Sequence, residues 1–265
     1  MQRSNTYTVL FAAAVCLVCA VFVSAAAVAL KPLQEANKVL DVQKKVLDVA
    51  GAMGEDESLT PDEITARFEA MIEGQVINLK SGSFAEGIDV ATYDQKKATK
   101  DPAQSESAPS NPAGILRVPH NATVYTLKED GVVQSIILPI SGKGLWSTLY
   151  GFLALESDTT TIKGITFYEH GETPGLGGEI DNPRWKSLWN GKLAFAEGDL
   201  ETPRIKVIKG MARDTEEARA HHIDGLAGAT ITGRGVSDLV QFWLGGDGFG
   251  PYLSQLRDGV ALEDA

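Results

Sequence analysis

Cysteine is scarce in this chain, and its placement excludes several kinds of chemistry. The 265 residues include 2 cysteines, Cys16 and Cys19, and both lie in an apolar run near the N-terminus. The rest of the chain has no cysteine for a disulfide, a thiolate metal cluster or a nucleophile. We therefore expect any redox chemistry to depend on a bound organic cofactor.

Histidine and nucleotide motifs are also sparse. The adjacent His221 and His222 would point about 100° apart on a helix, so they cannot easily share a metal ion. His120 and His170 lack nearby ligands at metal-binding spacing. The sequence contains no Gly-x-Ser-x-Gly elbow, P-loop or strand-borne GxGxxG motif. We predict no metal site, no catalytic side chain and no direct NADH binding.

Basic residues are outnumbered by acidic ones, 24 to 35, and the formal net charge is −11. This charge argues against nucleic acid or anionic lipid as the main partner. The hydrophobic content of 43% is sufficient for one sizeable core and a membrane segment.

The N-terminal apolar run predicts a membrane anchor. Ser4 to Leu30 has no charged residue, and about 20 such residues are enough to cross a bilayer. A cleavable signal peptide, with Arg3 in its n-region and a cleavage site among Ser24 to Ala27, is the alternative, but the hydrophobic region of such a peptide is usually only about 7–15 residues. We predict a retained single-pass anchor at residues 1–31.

Charge alone leaves the orientation of the anchor open. Counting positive charges favours a cytoplasmic body, although large domains are translocated despite such charges. The basic residues that follow the span are Lys31, Lys38, Lys44 and Lys45.

The remaining pattern predicts an α+β fold, an antiparallel sheet with flanking helices. Residues 32–114 are expected to form a juxtamembrane helical region and an exposed linker (96–114), and residues 115–265 the main domain. Predicted helices are Leu33–Ala50, Thr60–Ile72 with a capping box and Pro61 at its start, Asn182–Trp189, Thr215–His222 and Gly233–Leu244. Predicted strands are Thr123–Leu127, Val132–Ile137 after a turn at 128–131, Tyr150–Leu155, Ile162–Tyr168 and Arg204–Lys209.

The most informative motif is DGLAGATITGRG, Asp224 to Gly235. Thr230 and Thr232 present hydroxyls just before the predicted helix, and Thr232 is expected to be its N-cap. The first turn of a helix offers unpaired N–H groups and a positive dipole end, which suit a phosphate. Local physics alone favours a simpler interpretation, a tight turn and a cap. The buried face of the helix is predicted to contain Val236, Leu239, Val240 and Trp243.

Two further segments contain candidate binding residues. EHGETPGLGGEI, Glu169 to Ile180, is a glycine-rich loop after a strand, of a composition that many sheet proteins share. Ser141 to Trp146 contributes an aromatic side chain, which either stacks on a ligand ring or packs on the sheet.

The motifs resemble those of covalent FMN-binding domains. DGLAGAT resembles the flavinylation signature Asp-Gly-x-Ser/Thr-Gly-Ala-Thr, and ETPGLG resembles a second signature along the flavin. Ala227 stands where the family usually has Ser or Thr, so a hydrogen bond is lost. The anchor, the juxtamembrane run 36–51 and the tail 242–253 extend this resemblance to most of the chain. The chain as a whole resembles the C subunits of Na+-translocating NADH:quinone reductases.

This resemblance implies FMN attached through its phosphate to Thr230, with Leu176 packed on the flavin ring and Thr173 at its polar edge. The implied cofactor-binding residues are Asp224, Gly225, Gly228, Ala229, Thr230, Thr232, Glu172, Thr173, Pro174, Gly175, Leu176, Gly177, Gly144 and Trp146.

The resemblance also implies an electron relay in a six-subunit complex of the bacterial inner membrane. Electrons would pass from an iron–sulfur centre to the FMN of the B subunit, and on to quinone. The B, D and E subunits, membrane lipid and a flavin transferase are the implied partners, and the body is implied to be periplasmic. Two alternatives stay open: the G subunit of the related Rnf-type electron-transport complex, and a non-redox membrane-anchored interaction protein.

Overall fold

The N-terminal part of the chain forms one long helix, α1, from Asn5 to Ala50. The computed structural model describes residues 4–54, 57–129 and 131–259, so Arg3 lies outside the described residues. α1 is long and apolar enough to cross a membrane. The predicted span and juxtamembrane helix therefore form one continuous helix, as expected, with Pro32 inside it.

The chain divides into two compact units, one ending at Val42 and the other beginning at Gln43. The end of α1 belongs to the second unit, and its buried residues are Val46, Leu47, Val49 and Ala50. Of the apolar residues predicted along the juxtamembrane helix, those near its end are buried. Leu33, near its start, is 63% exposed.

Beyond α1 the helices are short, and half of the strands join one sheet. The helices are α2 (Pro61–Met71), α3 (Gln95–Lys100), α4 (Pro183–Lys186), α5 (Glu216–His221), α6 (Thr230–Leu244) and α7 (Gly250–Arg257), with 3-10 turns at Gly177–Asp181 and Ser187–Trp189. The strands are β1 (Ile72–Asn78), β2 (Ser105–Ser107), β3 (Arg117–Pro119), β4 (Asn121–Glu129), β5 (Val132–Lys143), β6 (Thr148–Glu156), β7 (Thr161–Glu169), β8 (Lys192–Leu193), β9 (Phe195–Ala196), β10 (Asp199–Pro203), β11 (Lys206–Val207) and β12 (His222–Ile223).

The main sheet has six strands in the order β1-β4-β5-β6-β7-β8, and every pair is antiparallel. Side chains alternate between its two faces. Along β5, Ile136, Leu138 and Ile140 enter the main core, whereas Ile137 is buried on the opposite face. Both faces are therefore covered, and this α+β architecture agrees with the predicted fold.

Helix α6 covers the core face of the sheet. The predicted apolar face of this helix is buried, with Val236, Leu239 and Val240 at 0% exposure. A β-carbon on Gly142 of β5 would lie 2.5 Å from the β-carbon of Leu239, so the helix approaches the strand backbone directly. The indole N–H of Trp243 donates to the Ser141 carbonyl at 2.7 Å. This close packing fixes the position of α6 against β5.

Helix α2 lies against the other face, and its start has the predicted capping box. The Thr60 hydroxyl accepts from the Glu63 N–H, and the Glu63 carboxylate accepts from the Thr60 N–H at 2.8 Å. The ring of Phe68 meets Tyr125 of β4 edge-on at 6.0 Å. The helix ends at Met71, one residue before the predicted end, because Ile72 already begins β1.

Two sequence predictions differ from the structure in part. Residues 96–114, predicted as an exposed linker or long loop, are mostly exposed, but they contain most of α3 and all of β2, and Ala98 and Ala113 are buried. Of the strand predicted at Arg204–Lys209, only Lys206 and Val207 pair, in parallel with β12.

The predicted strand pairs and the two predicted short helices agree with the structure. The strand pairs around 123–137 and 150–168 form β4–β5 and β6–β7, each antiparallel. Short helices occupy 183–186 and 216–221, the second capped by the Thr215 hydroxyl. Asp130 of the predicted turn lies outside the described residues.

The contact between Gly142 and α6 predicts the outcome of one substitution. Gly142→Ala should destabilise the chain by about 1–3 kcal/mol, because the new methyl group overlaps Leu239. Thermal unfolding of the detergent-solubilised full chain should show a midpoint lowered by roughly 2–10 °C. Gly246→Ala is the matched control, since a β-carbon there meets nothing within 4 Å. Equal midpoints for the two variants would contradict this packing.

Candidate functional site

Thr230 is the first residue of α6, and its side chain is exposed. The chain enters the helix through Gly228, which has a φ of +70°, a left-handed conformation that favours glycine. The N-cap is Ala229, and no side chain caps the helix. The prediction that the helix starts at Gly233 with Thr232 as N-cap is therefore wrong. The glycine turn starts the helix three residues earlier.

Thr232 is buried inside the first turn of α6. Its side chain is 0% exposed, and its hydroxyl donates to Oε2 of Glu172 at 2.6 Å. Glu172 is 5% exposed. The two side chains face each other beneath the surface, so the two hydroxyls of the motif differ sharply in accessibility.

The second carboxylate oxygen of Glu172 reaches the turn between β5 and β6. Its Oε1 accepts from the N–H of Trp146 at 2.9 Å and of Ser147 at 3.4 Å. We call Glu172, the Thr232 hydroxyl and these two N–H groups the carboxylate junction. It joins the ETPGLG loop (172–177), the β5–β6 turn (144–147) and the start of α6.

Two glycines leave the space that the junction occupies. A β-carbon on Gly144 would lie 2.6 Å from Oε1 of Glu172. On Gly177 it would lie 2.7 Å from both Oε2 of Glu172 and the Thr232 hydroxyl. These glycines, predicted from the resemblance as cofactor residues, therefore have a packing role in the junction.

The junction holds Glu172 in its charged form. Burial alone would raise the pKa of Glu172, but hydrogen bonds from Thr232 and from the N–H groups of Trp146, Leu145 and Ser147 together outweigh it. The pKa of Glu172 consequently lies below its ordinary value.

Apolar side chains are exposed on the three segments that the junction joins. Trp146 is 71% exposed, Leu176 45% and Ile231 57%. A β-carbon on Gly228 would lie 3.0 Å from Cδ2 of Leu176, so the ETPGLG loop touches the turn that starts α6. These side chains are available to an apolar ligand surface.

The ETPGLG loop is held in shape by its own backbone. The Thr173 carbonyl accepts from the N–H groups of Leu176 at 3.1 Å and Gly178 at 2.9 Å. Gly175 has a φ of +74° in this turn. Thr173 and Pro174 are exposed, so the loop presents them and Leu176 outward while Glu172 points inward.

Asp224 and Gly225, also predicted as cofactor residues, connect to a neighbouring segment. The Asp224 carboxylate accepts from the N–H of Ala212 at 2.7 Å, and its carbonyl accepts from the indole of Trp185 at 3.0 Å. The Gly225 N–H donates to Gly210 at 2.7 Å. These contacts hold segment 208–212 beside Thr230.

A cavity of about 140 Å³ opens beside Thr230. Lys209 and Arg234 line it together with Thr230. Sequence reasoning missed both cations. Arg234 follows Thr230 by one helical turn and could have been found, whereas Lys209 reaches the cavity only through the pairing of β11 with β12.

The FMN-binding domain family model matches residues 144–245, which contain the β5–β6 turn, the ETPGLG loop and α6. The C subunit of the Na+-translocating NADH-quinone reductase of Pseudomonas aeruginosa is 50% identical over 264 residues, covering 98% of this chain and 99% of that protein. The chain belongs to this C-subunit family. The corresponding protein of Vibrio anguillarum is 46% identical over 248 residues, covering 93% of this chain and 92% of its own length.

Solved structures of the family have the same fold. The crystal structure of Shewanella oneidensis NqrC superposes with a TM-score of 0.76 at 34% identity, covering 84% of this chain and 99% of that one. The C subunit from Parabacteroides distasonis gives 0.65 at 27% identity, covering 85% and 97%. The predicted family and fold class are confirmed, and these relatives give no support to the G-subunit alternative.

FMN is the cofactor of this domain, and the residues present fit it. The exposed Thr230 hydroxyl, the cavity with two cations and the apolar side chains of Trp146 and Leu176 match a phosphate and an aromatic ring system. The contacts of each residue with the flavin stay predictions.

The carboxylate junction predicts a pH-dependent loss of stability. Glu172→Gln should destabilise the detergent-solubilised chain by about 1–3 kcal/mol at neutral pH, because a charged acceptor is replaced by a neutral amide. Since the folded-state pKa of Glu172 is lowered, the charge stabilises the fold above the ordinary value of 4.5. The difference between wild type and variant should therefore shrink as pH falls from 4.5 through the folded-state pKa.

Unfolding midpoints at several pH values measure this difference. The control is Glu201→Gln, which changes an exposed carboxylate on β10. A Glu172→Gln variant as stable as wild type at neutral pH would show that the junction does not stabilise the fold.

Proposed function

We propose that this chain is the electron-relay subunit of a membrane-bound Na+-pumping NADH:quinone reductase and carries FMN through a phosphoester to Thr230. In this role it passes electrons from an iron–sulfur centre to the FMN of the B subunit. The proposal rests on the family of the chain and on the exposure of one hydroxyl.

The observation that carries the attachment is the contrast between the two threonines of the motif. Thr230 is exposed at the helix start, whereas Thr232 is fully buried and donates to Glu172. A separate protein that delivers a flavin can reach the first hydroxyl but not the second. Thr230 also matches the acceptor position of the flavinylation signature.

The described residues offer no activating base for the acceptor. Within residues 4–54, 57–129 and 131–259, no hydrogen bond to the Thr230 hydroxyl is formed, and a weak nucleophile of this kind needs an adjacent base or a metal. We therefore assign bond formation to a flavin transferase, with this chain as its substrate.

When bound, FMN supplies the one-electron chemistry, while the protein sets its place and surroundings. Thr230 fixes the phosphate end of the cofactor. The ETPGLG loop and Trp146 present apolar surface for the ring, and the carboxylate junction holds both at a set position relative to α6. Attachment keeps the distance to donor and acceptor constant.

The remaining assignments concern the membrane and the partners. We propose that α1 anchors the chain in the bacterial inner membrane, that it is retained, and that the body is periplasmic, despite the lysines that follow the span. The B, D and E subunits of the six-subunit complex are the proposed neighbours. Support comes from family membership and from the length and composition of α1.

Thr230→Ala should abolish covalent flavin in chain co-expressed with its flavin transferase. Intact mass of wild type should exceed the sequence mass by FMN less one water, and the variant should have the unmodified mass. The denatured wild-type band should fluoresce and the Thr230→Ala band should not.

The control is Thr232→Ala, which removes the buried hydroxyl and should retain at least part of the covalent flavin. Fluorescence retained by Thr230→Ala, or lost only in Thr232→Ala, would refute the assignment of the acceptor. A wild-type chain without added mass would refute covalent attachment itself.

A further inference from the structure

The cavity beside Thr230 is small and partly cationic. At about 140 Å³ it is well below the roughly 300–1,000 Å³ of pockets that enclose drug-sized ligands. A phosphate group fits such a volume, whereas a three-ring flavin does not. The ring therefore has to lie outside it, where the apolar side chains of Trp146 and Leu176 are exposed.

Backbone contacts hold the segment with Lys209 against the segment before Thr230. The Ile208 N–H donates to Ile223 at 2.9 Å, and the Gly225 N–H donates to Gly210 at 2.7 Å. A β-carbon on Gly225 would lie 2.3 Å from the Ile208 carbonyl oxygen, so the two backbones touch. Lys209 thus projects from a fixed backbone beside the helix start.

Arg234 lies on the same side of α6 as Thr230, one turn later. Gly233 lets this turn approach β11, since a β-carbon there would lie 3.2 Å from Cγ1 of Val207. The two cations therefore come from different parts of the chain, the segment after β11 and helix α6, and line one cavity with Thr230.

Neither cation is neutralised by a partner in the part of the chain that the structure describes. Lys209 and Arg234 form no hydrogen bond or ion pair there. Asp238, one turn beyond Arg234, is not a close partner: burial raises its pKa, and the opposing effect of Arg234 is too weak to reverse the shift. The Asp224 carboxylate accepts from the Ala212 N–H and forms no ion pair with either cation among the described residues.

We propose that Lys209 and Arg234 form the phosphate subsite of the flavin and bind the phosphodiester oxygens once Thr230 is modified. This inference rests on the proposed attachment at Thr230. The phosphodiester keeps one negative charge, which two cations and the uncapped N–H groups at the start of α6 bind favourably. In a chain with a net charge of −11, this site supplies positive charge where the cofactor needs it.

Phosphorus NMR of the loaded full chain tests the subsite. In native wild type the phosphodiester resonance should be displaced from its position in the same protein after denaturation. Lys209→Gln combined with Arg234→Gln should remove at least half of that displacement. The matched control is Lys206→Gln with Arg213→Gln, two exposed cations on either side of segment 208–212 that do not line the cavity, and it should keep the wild-type resonance.

The outcomes separate the subsite from the attachment. Full mass addition with an unchanged displacement in the double variant, or no displacement in wild type, overturns the subsite and leaves Thr230 as acceptor. No mass addition in wild type overturns the attachment. Exposed substitutions change stability by only about 0.5 kcal/mol, so the variants should fold. A folded double variant that no longer loads, beside a control that does, also supports the subsite.

Discussion

The arrangement of the FMN site depends on one buried carboxylate. Glu172 accepts hydrogen bonds from α6 through Thr232 and from the β5–β6 turn through Trp146 and Ser147. Its charge is stabilised by donors on both oxygens, and charge-assisted hydrogen bonds are about twice as strong as neutral ones. Three segments far apart in sequence are thereby held together, and each contains residues of the proposed cofactor surface.

The site has two layers. The lower layer is polar and buried and contains Glu172, Thr232 and two glycines that leave them room. The upper layer is exposed and contains Thr230, Leu176 and Trp146. The lower layer fixes the geometry, and the upper layer contains the hydroxyl and the apolar side chains that we propose for FMN.

Much of this arrangement could be predicted from sequence, and the failures have physical causes. The strand patterns and turn residues in the sequence predicted β4 to β7. The Thr60 capping box was predicted correctly because it depends on neighbouring residues alone. Strand β1 was missed because IEGQVIN contains a glycine and lacks clear alternation. Thr232 was predicted as an N-cap because its partner Glu172 lies 60 residues away, beyond any local pattern. Lys209 was missed for the same reason, since only tertiary pairing brings it to Thr230.

The spaces left by Gly144 and Gly177 bear on how this site can diverge between related proteins. A side chain at either position would displace the Glu172 carboxylate, so no single replacement there leaves the buried layer intact. Leu176 and Trp146 have no such constraint, because their side chains extend into solvent. If the proposed flavin surface is correct, substitutions at these exposed positions can change the surroundings of the ring, and with them its electron affinity, while the buried residues stay unchanged.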